Sequence, residues 1–183
     1  YNGSSWSNIT DSPVSGRLGV GSGFQNAAWM YGQHPSTTAT VHWNGSAWSS
    51  GPTISLSAQQ YGGGIGTQGA GMSIGFGSPG LGKAQLYDGV AWSALNDSND
   101  AVQDRGASGQ VNAAIVAGGR NPANTACVEE WNGTSWVRSC TLAGGVTSRT
   151  GGLGGGASRS DAALALGGYI GTNVYEYTKS NIV

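Results

Sequence analysis

Charge is what this sequence lacks most. Eight basic and nine acidic side chains are spread over 183 residues. That is 9% of the chain, against roughly 25% in ordinary globular proteins. The formal net charge is -1, so no surplus of Lys or Arg exists to neutralise phosphates, which excludes a strongly basic nucleic-acid binder. No apolar run approaches the ~18 residues of a membrane-spanning helix. Neither a Met nor a basic and apolar leader opens the chain, so no signal peptide is legible. Cysteine, methionine, phenylalanine and histidine occur only twice each, and proline five times. What the chain does hold is 34 Gly, seven Trp and seven Tyr. So many rings need burial, which excludes a charged, Pro-rich disordered tail.

The glycines and aromatics fall on a period. Trp48, Trp92 and Trp136 are spaced by 44 residues, as are Trp43, Tyr87 and Trp131, and as are Arg17, Tyr61, Arg105 and Arg149. Each unit opens on a Gly-rich stretch such as Gly62-Gly63-Gly64-Ile65-Gly66. A small apolar run follows, such as Ala113-Ala114-Ile115-Val116-Ala117, and stops at Gly118-Gly119 or Gly167-Gly168. An alternating segment then ends in an aromatic. A tight Asn-Gly or Asp-Gly turn leads to the last Trp, a strong hairpin signal. No stretch has a helical period. The opening Tyr1-Asn2-Gly3-Ser4-Ser5-Trp6 falls inside the same motif, which points to processing or to a piece of something longer.

A unit of four short strands in about 44 residues is the size of a propeller blade. The order of parts resembles kelch and galactose-oxidase-type repeats: Arg at the head of the first strand, Gly-Gly closing the second, an aromatic ending the third, Trp opening the fourth. The expected fold is therefore all-β, a β-propeller of four blades, with part of a larger or oligomer-completed ring as the alternative. The expected repeats are about 8–48, 49–92, 93–136 and 137–183, with 1–7 a closing strand, in one repeat domain over 1–183. The aromatics Trp43, Trp48, Tyr87, Trp92, Trp131 and Trp136 are expected between blades.

Cys127 and Cys140 flank the third of these hairpins. A symmetric turn at Gly133-Thr134 sets Trp131 opposite Trp136 and Cys127 opposite Cys140, close enough for a cross-strand disulfide. Two facing thiols are the alternative.

Catalytic motifs fail on context. Gly64-Ile65-Gly66-Thr67-Gln68-Gly69 spells a dinucleotide fingerprint without its helix. Gly71-Met72-Ser73-Ile74-Gly75 spells a nucleophile elbow, but His34 and His42 lie upstream. A copper-radical site of the galactose-oxidase kind cannot be assembled, because both His share one unit and both Cys one hairpin. Asn96-Asp97-Ser98-Asn99-Asp100 offers oxygens to calcium but reads equally as a polar loop. Asn2, Asn8, Asn44, Asn96 and Asn132 open glycosylation triplets, and turn chemistry accounts for three of them.

The best binding candidate is the column Arg17, Tyr61, Arg105 and Arg149. In a propeller these positions form a ring on one face, able to bind carboxylates or sugar hydroxyls. The competing role is structural, with each Arg locked to a neighbouring Trp or to loop carbonyls. The expected function is a non-enzymatic binding module on an extracellular or virion surface, with a glycan or cell-surface receptor as partner. The repeats also look like those of phage tail-fibre and marine microbial surface proteins. No cofactor, metal, nucleic acid or membrane insertion is expected, and a homo-oligomer is possible. A structural subunit of a fibre or surface layer is the alternative.

Overall fold

The computed structural model describes residues 3–14, 19–31, 38–55, 62–75, 81–142, 153–154, 162–168 and 171–178. These form four antiparallel sheets in chain order. The first holds β1 (Val20–Phe24), β2 (Ala27–Tyr31), β3 (Thr40–Trp43) and β4 (Trp48–Ser50). The second holds β5 (Gly63–Thr67), β6 (Ala70–Ile74), β7 (Ala84–Tyr87) and β8 (Trp92–Ala94). The third holds β9 (Gly106–Gln110), β10 (Ala113–Ala117), β11 (Cys127–Trp131) and β12 (Trp136–Thr141). The fourth shows three strands, β13 (Leu153–Gly154), β14 (Ala162–Gly168) and β15 (Gly171–Thr178). Among the described residues there is no helix.

Each third-to-fourth-strand hairpin is built alike. Gly45, Gly89 and Gly133 hold φ of +97°, +93° and +95°, a conformation that costs a residue with a Cβ. The preceding Asn44, Asp88 and Asn132 each accept two backbone N–H groups through Oδ1, at 2.8 to 3.0 Å. Trp43 thereby pairs with Trp48, Tyr87 with Trp92 and Trp131 with Trp136. Their ring centroids stand 4.9 to 5.2 Å apart.

The first strands pack on one another in order, β1 on β5, β5 on β9 and β9 on β13, and among the described residues the fourth strands make no comparable contact. Crowding at this shared side explains the glycines. A Cβ on Gly64 would strike the Gly21 carbonyl, and one on Gly63 would strike the Cβ of Ala107. Between the first and second sheets lie Val20, Trp29, Tyr31, Tyr87 and Trp92. Between the second and third lie Ile65, Met72, Ile74, Ala114, Val116, Trp131 and Trp136. The indole N–H groups key the sheets together: Trp29 donates to the Thr67 carbonyl at 3.0 Å and Trp92 to Thr40 Oγ1 at 3.0 Å. Val41 (3% exposed) and Trp43 (6%) are buried on the face of the first sheet turned away from the second.

The disulfide expected between Cys127 and Cys140 is absent, and both thiols are free. The symmetric register holds for Trp131–Trp136, Glu130–Val137 and Glu129–Arg138, then slips at a bulge that places Cys127 opposite Thr141. Ser139 and Cys140 together face Val128, so the extra residue carries Cys140 out of register.

Candidate functional site

Of the arginine column, Arg17, Tyr61 and Arg149 lie outside the described residues. Arg105 stands at the head of β9 and is 3% exposed. Its stem runs between two glycines that close second strands. Gly75 of the second sheet and Gly119 of the third leave room where a Cβ would press on the Arg105 methylenes. The guanidinium lies 2.8 Å from Glu129 Oε1 and 3.6 Å from Asp100 Oδ2. The Glu129 contact is an ion pair whose N–H groups are not aligned as hydrogen bonds, and no Arg105 N–H has a hydrogen-bond partner among the described residues.

Glu129 is itself wholly enclosed. Its Oε2 accepts the Asn99 backbone N–H and Nδ2–H, each at 2.8 Å, and its Oε1 accepts the Asp100 N–H at 3.1 Å. The loop before β9 is thus sewn to the third sheet through one carboxylate. Arg138 closes the group by pairing with Asp100. Burial pushes the Asp100 carboxyl up, but hydrogen bonds from Cys127 and Arg138 outweigh it and leave Asp100 below the usual carboxylate range. Cys127 responds oppositely: burial first, then Asp100, raise its thiol to about 11. Two guanidinium groups and two carboxylates make this cluster neutral.

Asp104 is the sole non-glycine residue with positive φ (61°) among the described residues. Its carboxylate accepts Arg120 Nε–H at 2.7 Å. In the loop once considered for calcium, Asp97 pairs with Lys83 at 2.6 Å and Asp100 with the two arginines. Both of its carboxylates are turned to the protein's own cations. At the first interface His42 Nε2 lies 2.8 Å from the Tyr87 hydroxyl, which donates to the Gly89 carbonyl at 2.7 Å. Burial lowers the His42 pKa. Burial, then the Asp88 charge, raises that of Tyr87.

Of the hairpin aromatics, Trp43, Tyr87, Trp92, Trp131 and Trp136 are buried and Trp48 is half-buried. Trp48 and Trp136 donate to the carbonyls of Thr10 and Asn96 on the segments leading into their sheets. The sequence reading did not single out Glu129. Its signal was a charge inside an alternating apolar strand, opposite Val116. Phe24, exposed at the end of β1, was missed as well. An open groove of about 570 Å³ runs along β11 and β12, lined by Asn112, Glu130, Asn132, Val137 and Ser139 among others.

Four-stranded antiparallel sheets meeting through their first strands define an all-β fold of propeller type. No protein-family model matches the chain, and no curated protein matches it. Among solved structures it is similar to the one titled "Structure of YjhT", with a TM-score of 0.65 and 12% identity over 96% of this chain and 69% of that one. At that identity the likeness speaks for the fold.

Proposed function

We propose that this protein is a non-enzymatic binding module for a neutral ligand, a glycan or the glycosylated surface of a receptor. One observation carries the reading: every described Lys and Arg is already paired with a carboxylate. Lys83 holds Asp97, Arg105 holds Glu129, Arg120 holds Asp104 and Arg138 holds Asp100. An anionic ligand would have to break one of these pairs. The exposed turns offer Asn, Ser and Gly instead, groups that exchange hydrogen bonds with hydroxyls without a charge to desolvate. The burial of Arg105 favours a locking role for its column.

The repeat is proposed to be kelch-like, on the joint evidence of Arg105, Gly118-Gly119, Trp131 and Trp136. Burial of Val41 and Trp43 supports a ring closed by the fourth sheet, because the matching faces of the second and third sheets are covered by their predecessors. An extracellular or virion surface is the setting that this sparsely charged, amide-rich exterior suits. The test is a glycan array probed with the labelled chain, beside a turnover assay on the same glycans. Binding without turnover supports the reading, and turnover or no binding overturns it. A structural subunit of a fibre or layer is the second reading, favoured by Trp6 (84% exposed) and Ile9 (60%) on one segment. Light scattering separates the two: a polymer marks the subunit, a monodisperse species the binding head.

A further inference from the structure

We infer that the end of the molecule carrying the tight turns holds the glycan site, with Phe24 as its platform. The inference rests on the binding-module reading and gives that function a place. β1, β5 and β9 lie side by side and are tied across, for example by Ser22 Oγ–H donating to the Gly66 carbonyl at 2.8 Å. Their last residues, Phe24, Thr67 and Gln110, therefore emerge at one end around the shared centre. Each closes the same hairpin, opposite Ala27, Ala70 and Ala113.

The repeat does not require an aromatic there, since Thr and Gln build the equivalent turn in the next two sheets. Phe24 is nevertheless 55% exposed, whereas the other strand aromatics of the first three sheets are buried or, for Trp48, half-buried. An apolar ring placed in water at a position where the fold needs none is accounted for by a ligand. The flat face of a phenyl suits the C–H face of a sugar ring.

The surroundings supply the polar half of such a site. Asn26, on the turn after Phe24, packs its Cα and Cβ where a Cβ on Gly45 would fall 3.3 Å away, which sets the Asn44–Ala47 turn beside it. In the third sheet the Asn112 backbone stands against Gly133 in the same way, its carbonyl oxygen 3.2 Å from where a Cβ would fall. The side-chain amides of Asn26, Gln110 and Asn112 make no hydrogen bond to another described residue, so their donors and acceptors are open to hydroxyls. The groove along β11 and β12 starts at Asn112 and Asn132 and gives an extended chain a path outward. No Lys or Arg sits on the described turns at this end, Asp88 is occupied by its own turn, and Arg138, which lines the groove, is already paired with Asp100. The ligand is neutral on that account.

The experiment uses the 183-residue chain. The neutral oligosaccharide giving the strongest array signal is titrated into wild type, Phe24→Ser and Gln110→Ala by calorimetry. Phe24→Ser is expected to weaken binding about tenfold or more, as loss of a central anchor does, with unchanged circular dichroism. Gln110→Ala is expected to weaken it about threefold to tenfold. Phe24→Trp keeps affinity, and its new exposed indole shifts to the blue on adding the oligosaccharide. It serves as the folded reporter if Phe24→Ser does not fold. Unchanged affinity in a folded Phe24→Ser, or binding to Phe24→Trp with no blue shift, overturns the site and leaves the binding-module reading standing. Signal confined to anionic glycans overturns the neutral ligand. Silence across the whole array overturns site and reading together.

Discussion

The Arg105 guanidinium and the Glu129 carboxylate meet at 2.8 Å with both side chains fully enclosed, joining the head of the first strand of the third sheet to its third strand. This pair, with the Asn99 and Asp100 N–H groups on the same carboxylate, fixes how the second sheet hands over to the third.

Removing the Glu129 charge leaves the buried Arg105 with only Asp100, 3.6 Å away. Glu129→Gln is expected to cost about 3 kcal/mol, the scale for breaking a buried pair from one side. The double variant Arg105→Leu with Glu129→Leu is expected to cost less than the two single losses combined. Urea denaturation of wild type, Glu129→Gln, the two single leucine variants and the double variant measures both. A Glu129→Gln protein within about 0.5 kcal/mol of wild type would show the pair to be incidental.

The aromatics divide sharply by burial. Trp29 is 1% exposed and its ring fills the space left by Gly71, so Trp29→Ala is expected to cost about 4 kcal/mol. Trp6→Ala is expected to stay within about 0.5 kcal/mol of wild type. Thermal melts of the pair check the contrast, and equal losses would contradict the placement of Trp6 in solvent.

Both cysteines are free, and only one is exposed. Intact-mass analysis after alkylation at pH 8 is expected to show fast labelling of Cys140 and slow labelling of Cys127, whose thiol stays protonated until the pH nears 11. The sign follows from the raised value. Any stability from the half-buried Cys127 thiol is intact below about pH 9 and is lost as the pH climbs through the folded value. A mass lower by two hydrogens with no labelling would restore the disulfide.

The Asp88 carboxyl is held below its ordinary value by the N–H groups of Ala91 and Val90. Its contribution is therefore present at neutral pH and lost as the pH falls below the ordinary carboxylate range through the folded value. Asp88→Asn keeps the turn, as Asn44 and Asn132 do in their sheets, and is expected to flatten the acid limb of the melting profile. A profile unchanged below pH 4 would assign that limb to other carboxylates.

The repeat, the four-strand order and the turns were written in the chain. These depend on local periods: two for strands, 44 for units, Gly after Asn or Asp for hairpins. The register of the third hairpin was legible as far as Glu129–Arg138, because a symmetric turn propagates pair by pair until something interrupts it. The tertiary structure alone decided the rest. A bulge at Val128 separated the two cysteines, and no residue type announces such a slip. Whether Arg105 faces a ligand or a carboxylate turned on Asp100 and Glu129, which only the packing of the second sheet's exit loop against the third brings to it. Phe24 looks like any apolar strand residue until the neighbouring sheets leave its ring in water. Periodicity is a property of the chain, whereas burial and pairing belong to the spaces between sheets.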